Sequence, residues 1–207
     1  MLLHGRDRLG PIAHAYPAGS TLPDPATFQP IRNFPAVSTR VRNRPEGGLW
    51  CAPVSLRHPD GTPAATDWTD YCTADEYGRP TLHPSGAPYD TAVDIHPHDD
   101  ARVYVIDNCD DLDRLVDLFP PPPAPAGLPE GFFRLVTPNW EAVADAGTDA
   151  VFVTRDGLRA NTAEDRDLKH PRLDAWDSAS VLWLRPAYRL GAQWPVRYQF
   201  PDRLPQT

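Results

Sequence analysis

Apolar residues in this chain come in short bursts bounded by proline and glycine, not in long stripes. Leu49-Trp50-Cys51-Ala52-Pro53-Val54, entered through Gly47-Gly48, reads as a buried strand. Residues 55–65 read as a loop with a turn at Pro59-Asp60-Gly61. Thr66 then caps a short helix that carries Trp68, Tyr71 and Cys72 on one face. After a proline-rich stretch over 78–100, Ala101–Ile106 is β-branched and aromatic, hence strand. Asp110 or Asp111 caps the next helix, whose apolar positions Leu112, Leu115, Val116 and Phe119 follow a helical period. Pro120 to Pro123 stop it, and 120–129 form a stiff connector. That connector is a spacer or, in a second reading, a ligand for an SH3-like partner.

The second half repeats the pattern of short elements. Phe132–Val136 reads as strand, and Thr137 with Pro138 opens a helix burying Trp140, Val143 and Ala144 and ending at Gly147. Asp149–Val153 is a strand, 155–175 a polar surface loop, and Ser180–Leu184 a strand closed by Arg185-Pro186. Tyr198 and Phe200 mark a last edge strand. Within 31–43, Ile31, Phe34, Val37 and Val41 alternate with polar residues, and Pro35 confines that strand to an edge. Residues 1–30, broken by Pro11, Pro17, Pro23, Pro25 and Pro30, read as an arm packed on a single domain over 31–207. Strands outnumber helices, so the fold class is α+β.

Composition sharpens this picture. Twenty-six prolines in 207 residues exceed the usual share of about 5% and exclude a helical bundle. Six Trp, seven Tyr and seven Phe supply enough buriable surface to exclude fold-wide disorder. The formal net charge of −8 does not favour nucleic acid or anionic membrane as a partner of the whole chain. Arg32, Arg40, Arg42 and Arg44 oppose that average. They read as a solvated strand edge or as a site for a phosphate-bearing ligand, whose oxygens guanidinium forks match. Cys51, Cys72 and Cys109 are widely spaced and without a CxxC, so they read as small core residues in a reducing, cytoplasmic compartment. There is no signal-peptide pattern and no apolar run of about 18 residues, so no membrane span is expected.

Few residues announce chemistry. His96-Pro97-His98-Asp99-Asp100 has metal-ligand residue types, but its context favours a solvated turn and no metal is expected. His4, His14, His58, His83 and His170 show no motif spacing. No GxSxG, Walker A or GxGxxG pattern occurs. Asp177 stands between Trp176 and two serines ahead of an apolar strand. It either terminates that segment or faces a cleft at the strand's start.

The order GGLW, Trp68/Cys72 helix, strand–helix over 103–119, Asn139-Trp140 helix, Thr148-Asp149-Ala150-Val151 and Trp176-Asp177-Ser178-Ala179-Ser180 resembles a group of uncharacterised actinobacterial and actinophage proteins. Those carry a GLW-x-S strand, a W-x-x-W-C helix and a final WD-x-x-S strand. Over roughly residues 30–186 the layout in turn resembles the mono-ADP-ribosyltransferases, whose split β-sheet surrounds NAD. There a first-strand Arg or His, a second-strand hydroxyl or aromatic residue, and an acidic residue on a late strand form the site. The resemblance implies a split sheet with short helices and long proline-rich loops. It implies that Arg32 pairs with the NAD pyrophosphate and that Gly48 and Trp50 receive nicotinamide. Asp177 then holds the ribose and stabilises the oxocarbenium-like charge as the glycosidic bond breaks. Tyr16, Tyr89 and Tyr104 offer further ring contacts. Two departures stand out: Asp177 is shorter than the usual Glu, and Ala52 replaces the expected hydroxyl. The expectation is therefore an NAD-using transferase acting on a protein or nucleic-acid acceptor, or an inactive binding or inhibitor protein on the same scaffold with a protein partner. An acceptor of nucleic acid would engage Arg40, Arg42 and Arg44.

Overall fold

A computed structural model of the chain describes residues 5–33, 45–73, 86–122, 136–162, 170–173 and 176–197. The β-branched and aromatic bursts become strands of one mixed, open sheet of eight. In chain order these are β1 (Ile12–Tyr16), β2 (Leu49–Arg57), β3 (Pro63–Thr66), β4 (Thr91–Pro97), β5 (Val103–Ile106), β6 (Ala150–Val153), β7 (Ser180–Trp183) and β8 (Tyr188–Pro195). The strands lie in the order β5-β6-β7-β2-β1-β4-β8, with β3 paired to β2 off that path. Only β5 and β6 run parallel, and their connection carries α2 (Cys109–Leu118) and α3 (Trp140–Asp145). The other described helices, α1 (Asp67–Thr73) and α4 (Arg155–Ala160), are short. None of the described helices is long and apolar enough to cross a membrane.

Each face of the sheet has its own cover. On one, Leu112 and Leu115 of α2 and Trp140 and Val143 of α3 pack on Tyr104, Ile106, Val151, Val153 and Leu182. On the other, Leu9, Leu22 and Phe28 pack with Ile12, Leu49, Val103, Phe152, Trp183 and Tyr188. Fully buried large side chains such as Leu112, Leu115, Leu182 and Trp183 each contribute about 1.5–3 kcal/mol, so both layers help to hold strands this short.

Several elements differ from their sequence expectation. The arm expected over residues 1–30 contains β1, which sits between β2 and β4 in the middle of the sheet. Pro11 and Pro17 bracket the alternating run Ile12–Tyr16 without entering it, and the Pro11 carbonyl accepts from Val54 N at 2.9 Å. The loop expected over 55–65 is a hairpin: β2 extends to Arg57, β3 returns at Pro63, and Gly61 turns at φ +86° between them. β4 arises in the proline-rich 78–100 stretch, where loop was expected, and β8 in a segment for which no element was expected. Their buried apolar residues are interspersed with polar ones; β4 holds Asp94, whose carboxylate accepts from Trp194 Nε1 of β8 at 2.9 Å. α4 replaces the start of the loop expected over 155–175, capped by Thr154, whose hydroxyl oxygen accepts from Gly157 N. Asn108 and Asn139, not the aspartates or Thr137, cap α2 and α3, accepting from Asp111 N and Ala142 N at 3.1 Å each. The strand expected at Phe132–Val136 lies, except for Val136, outside the described residues, as do most of the 120–129 connector, Tyr198 and Phe200.

Candidate functional site

The ladder between β1 and β2 is short. It pairs Ile12 with Pro53 and Ala13 with Ala52, whereas β1 pairs with β4 along five residues. Beyond that pair the two strands part, and a ring nitrogen of His14, Nδ1, meets the Trp50 carbonyl oxygen at 2.7 Å. On its other side β2 pairs with β7 in the register Leu49–Trp183, Trp50–Leu182, Cys51–Val181. Continuing that register sets Ser180 level with Ala52, so Ala13, Ala52 and Ser180 lie in a row across three strands. Residues directly opposite one another share a face, and here all three are small.

A hollow of about 360 Å³ lies over this row. Ala13, Ala15 and Ala52 are small enough to leave the sheet uncovered beneath it, and Trp50, Trp68 and Tyr89 border it. His14, Tyr16 and Cys51 complete the lining where β1 and β2 separate. Trp68, on α1, meets Tyr89 edge-on at 5.6 Å and stacks on Tyr71 at 5.6 Å. Trp50 meets buried Trp176 edge-on at 4.6 Å. Polar residues of the lining are few: His14, Tyr16, whose hydroxyl donates to Gln193 of β8 at 2.9 Å, and Ser180, whose hydroxyl donates to the Ser178 carbonyl at 2.8 Å. Burial pushes the Cys51 thiol well above its ordinary range, against a smaller opposing effect of a hydrogen bond with Trp183, so it offers no thiolate. Among the described residues no carboxylate, lysine or arginine lines the hollow. An apolar, aromatic-walled concavity with a few polar groups at one side is the usual form of a small-ligand site.

The residues expected to form the site divide among different places. Trp50 lines this hollow. Arg32 does not; its backbone bridges Glu46, and its side chain borders a separate, more open hollow of about 630 Å³ with Glu141, Asp145 and Arg185. Two arginines there are offset by two carboxylates. Gly48 has φ +66°, and a Cβ on it would lie 2.5 Å from the Trp183 carbonyl oxygen. The close approach that it permits is between β2 and β7. Asp177 is exposed and lines neither hollow. Burial first, and then the nearby Asp177 carboxylate, raise the Tyr71 phenol on α1. Burial and the same charge push the Cys72 thiol to about 12. Trp176, next to Asp177 in the chain, touches Trp50, while Arg32 borders a different hollow. Arg40, Arg42 and Arg44 lie outside the described residues.

His14 was the residue without a sequence signal. Its mark is the run Ile12-Ala13-His14-Ala15-Tyr16, which alternates large and small side chains over one strand. In the His96–Asp100 segment, the His98 amide donates to Ala187 O at 2.9 Å and Asp99 pairs with Arg6 at 2.8 Å. The described residues contain no group of three or more His, Cys, Asp or Glu placed to hold a metal. Comparison with protein-family models, with curated proteins and with solved structures finds no match.

Proposed function

We infer that the hollow at the parting of β1 and β2 is a binding site for the nicotinamide end of NAD, in a protein resembling the ADP-ribosyltransferases. One observation carries the reading. A first strand, a second strand and a late strand lie side by side as β1, β2 and β7 and bring His14, Trp50 and Ser180 to one aromatic-walled hollow. That arrangement resembles the first-strand His, second-strand aromatic pattern of that family, with His14 in the part that the sequence had given to Arg32. The β1–β2 ladder is short at this point, which leaves room for a ligand beside it. A flat pyridinium ring suits a slot with alanines beneath and indoles at its side, whose π faces favour a cation. Ser180 would meet a ribose hydroxyl.

The late-strand position holds a hydroxyl where the family has an acid. Among the described residues no carboxylate lines the hollow, so the charge that grows as the glycosidic bond breaks has no preplaced partner among them. That favours a second reading, a binding or inhibitor protein that holds the nucleotide without turning it over.

Thermal unfolding with and without NAD tests both. Ligand at about 100 times its Kd adds about 2.7 kcal/mol to stability, a shift easily read. Ala15→Leu, which fills the hollow from its floor, should abolish the shift. Release of nicotinamide with transfer to protein, nucleic acid or water supports the transferase; binding without release supports the second reading. No shift with NAD, nicotinamide or an NAD analogue removes both.

A further inference from the structure

The helix that walls the hollow is fixed at its first turn from two sides. At the junction with β3, Thr66 and Thr69 are both buried and exchange bonds. Thr69 N donates to the Thr66 hydroxyl oxygen at 3.2 Å, and Thr66 N to that of Thr69 at 2.8 Å. From α4, Arg155 donates through Nη2 to the Asp67 carboxylate at 2.7 Å. Asp67 is the first residue of α1 and precedes Trp68, which borders the hollow. The Asp67 side chain is only 10% exposed. Burial raises its carboxyl and the Arg155 guanidinium opposes that rise, so the charge there depends on its partner.

Arg155 stands on a firm base. The Thr154 hydroxyl donates to Asp107, just after β5, at 2.6 Å. Gly157 brings α4 against the same strand, where a Cβ would collide with the Ile106 carbonyl oxygen. Asn161, buried at the end of α4, donates to the Asn108 and Gly157 carbonyls at 3.2 and 2.7 Å. A run of bonds thus leads from β5 through α4 to the start of α1. Trp68 stacks on Tyr71 and meets Tyr89 edge-on, and the backbone turn that carries it decides where its indole stands.

We propose that Arg155 is a positioning residue of the hollow: through its hydrogen-bonded pair with Asp67 it fixes the first turn of α1, and with it the Trp68 wall, without touching the bound molecule. This rests on the reading of the hollow as a ligand site, but the hold on Trp68 can be measured without ligand. The full-length protein is labelled with 5-fluorotryptophan, and Trp68→Phe and Trp183→Phe assign two fluorine resonances. The Arg155 side chain is 65% exposed, so Arg155→Ala should fold; circular dichroism checks that. Its Trp68 resonance should shift or broaden, while that of Trp183, buried against Tyr188, stays. Arg155→Lys keeps the charge and the donors and should stay near wild type. Arg159→Ala changes the same helix at a residue paired within it, to Asp156 at 3.8 Å, and should leave Trp68 unmoved. Adding Asp67→Ala to Arg155→Ala should change nothing further, since both remove one pair. NAD affinity should fall about fivefold in Arg155→Ala, the scale of a charge-assisted hydrogen bond with one partner exposed. Any release of nicotinamide from bound NAD should keep its rate.

An unmoved Trp68 resonance in Arg155→Ala overturns the proposal. So does an equal shift in Arg155→Lys or Arg159→Ala, or a further shift in the double variant. If Trp68 moves as expected but wild type ignores NAD, the hold on Trp68 stands and the assignment of the hollow falls. If wild type binds NAD and Arg155→Ala binds it equally well, the assignment stands and the proposal falls.

Discussion

Gly48→Ala should be the most damaging single-methyl change at the junction of β2 and β7. Two costs combine. A left-handed backbone at φ +66° costs an alanine about 1–2 kcal/mol. The added Cβ would also stand 2.5 Å from the Trp183 carbonyl oxygen, 2.9 Å from Leu182 Cδ1 and 3.2 Å from Ile31 Cδ1. The nearest of these is backbone inside a paired strand, so relief requires β7 to move, and overpacking of this kind costs about 1–3 kcal/mol. The total is about 2–5 kcal/mol, and in a chain of this size each kcal/mol lowers Tm by about 2–4 °C. Gly61→Ala is the matched control: its φ of +86° carries the same conformational cost, but nothing lies within 4 Å of the new methyl. Parallel urea titrations should give a loss for Gly48→Ala clearly larger than for Gly61→Ala, with similar slopes. Equal losses would refute the close-approach argument and leave only backbone strain.

Asn139→Ala should cost about 1 kcal/mol in the same titration, because Asn139 caps α3 and also accepts from Asn33 Nδ2 at 2.8 Å; a loss within error would show that the cap is replaceable. Asp107 accepts from Thr154 Oγ1 at 2.6 Å and Arg8 Nη2 at 2.7 Å, and these bonds, Thr154's first, hold its carboxyl below the ordinary range. A depressed folded pKa adds stability above the ordinary carboxylate value of about 4 and loses it as pH falls through the lower, folded value. The stability gap between wild type and Asp107→Asn should therefore be steady at neutral pH and close on acidification; a gap that widens in acid would contradict the assignment.

Elements that bury a dense apolar face were legible. Leu112 and Leu115, Val151 and Val153, and Val181 to Trp183 carry enough hydrophobic signal in a few positions to declare helix or strand. What escaped was structure held by other means. β4 and β8 scatter their buried side chains, Ala92, Val93 and Ile95 on one and Tyr188 and Trp194 on the other, among polar residues, and are held also by their pairing with each other and with β1. α4 depends on the Thr154 cap and on Gly157, which lets its backbone pack against Ile106. The site escaped for a related reason. Trp50 was visible as an aromatic residue on an apolar strand, but a hollow is defined by what is missing above Ala13, Ala15 and Ala52. Small side chains leave no signal that separates an empty floor from a packed one. His14 was hidden because prolines on both sides disguised its strand.

The place of β1 has a consequence for how the molecule is assembled. Both of its neighbours are synthesised after it, β2 beginning at Leu49 and β4 at Thr91, so the centre of the sheet has to wait for chain that does not yet exist. Cutting residues 5–16 away would not trim a border. It would part β2 from β4, leaving β5-β6-β7-β2 and β4-β8 as separate fragments with two raw hydrogen-bonding edges facing each other, an invitation to clump with other copies.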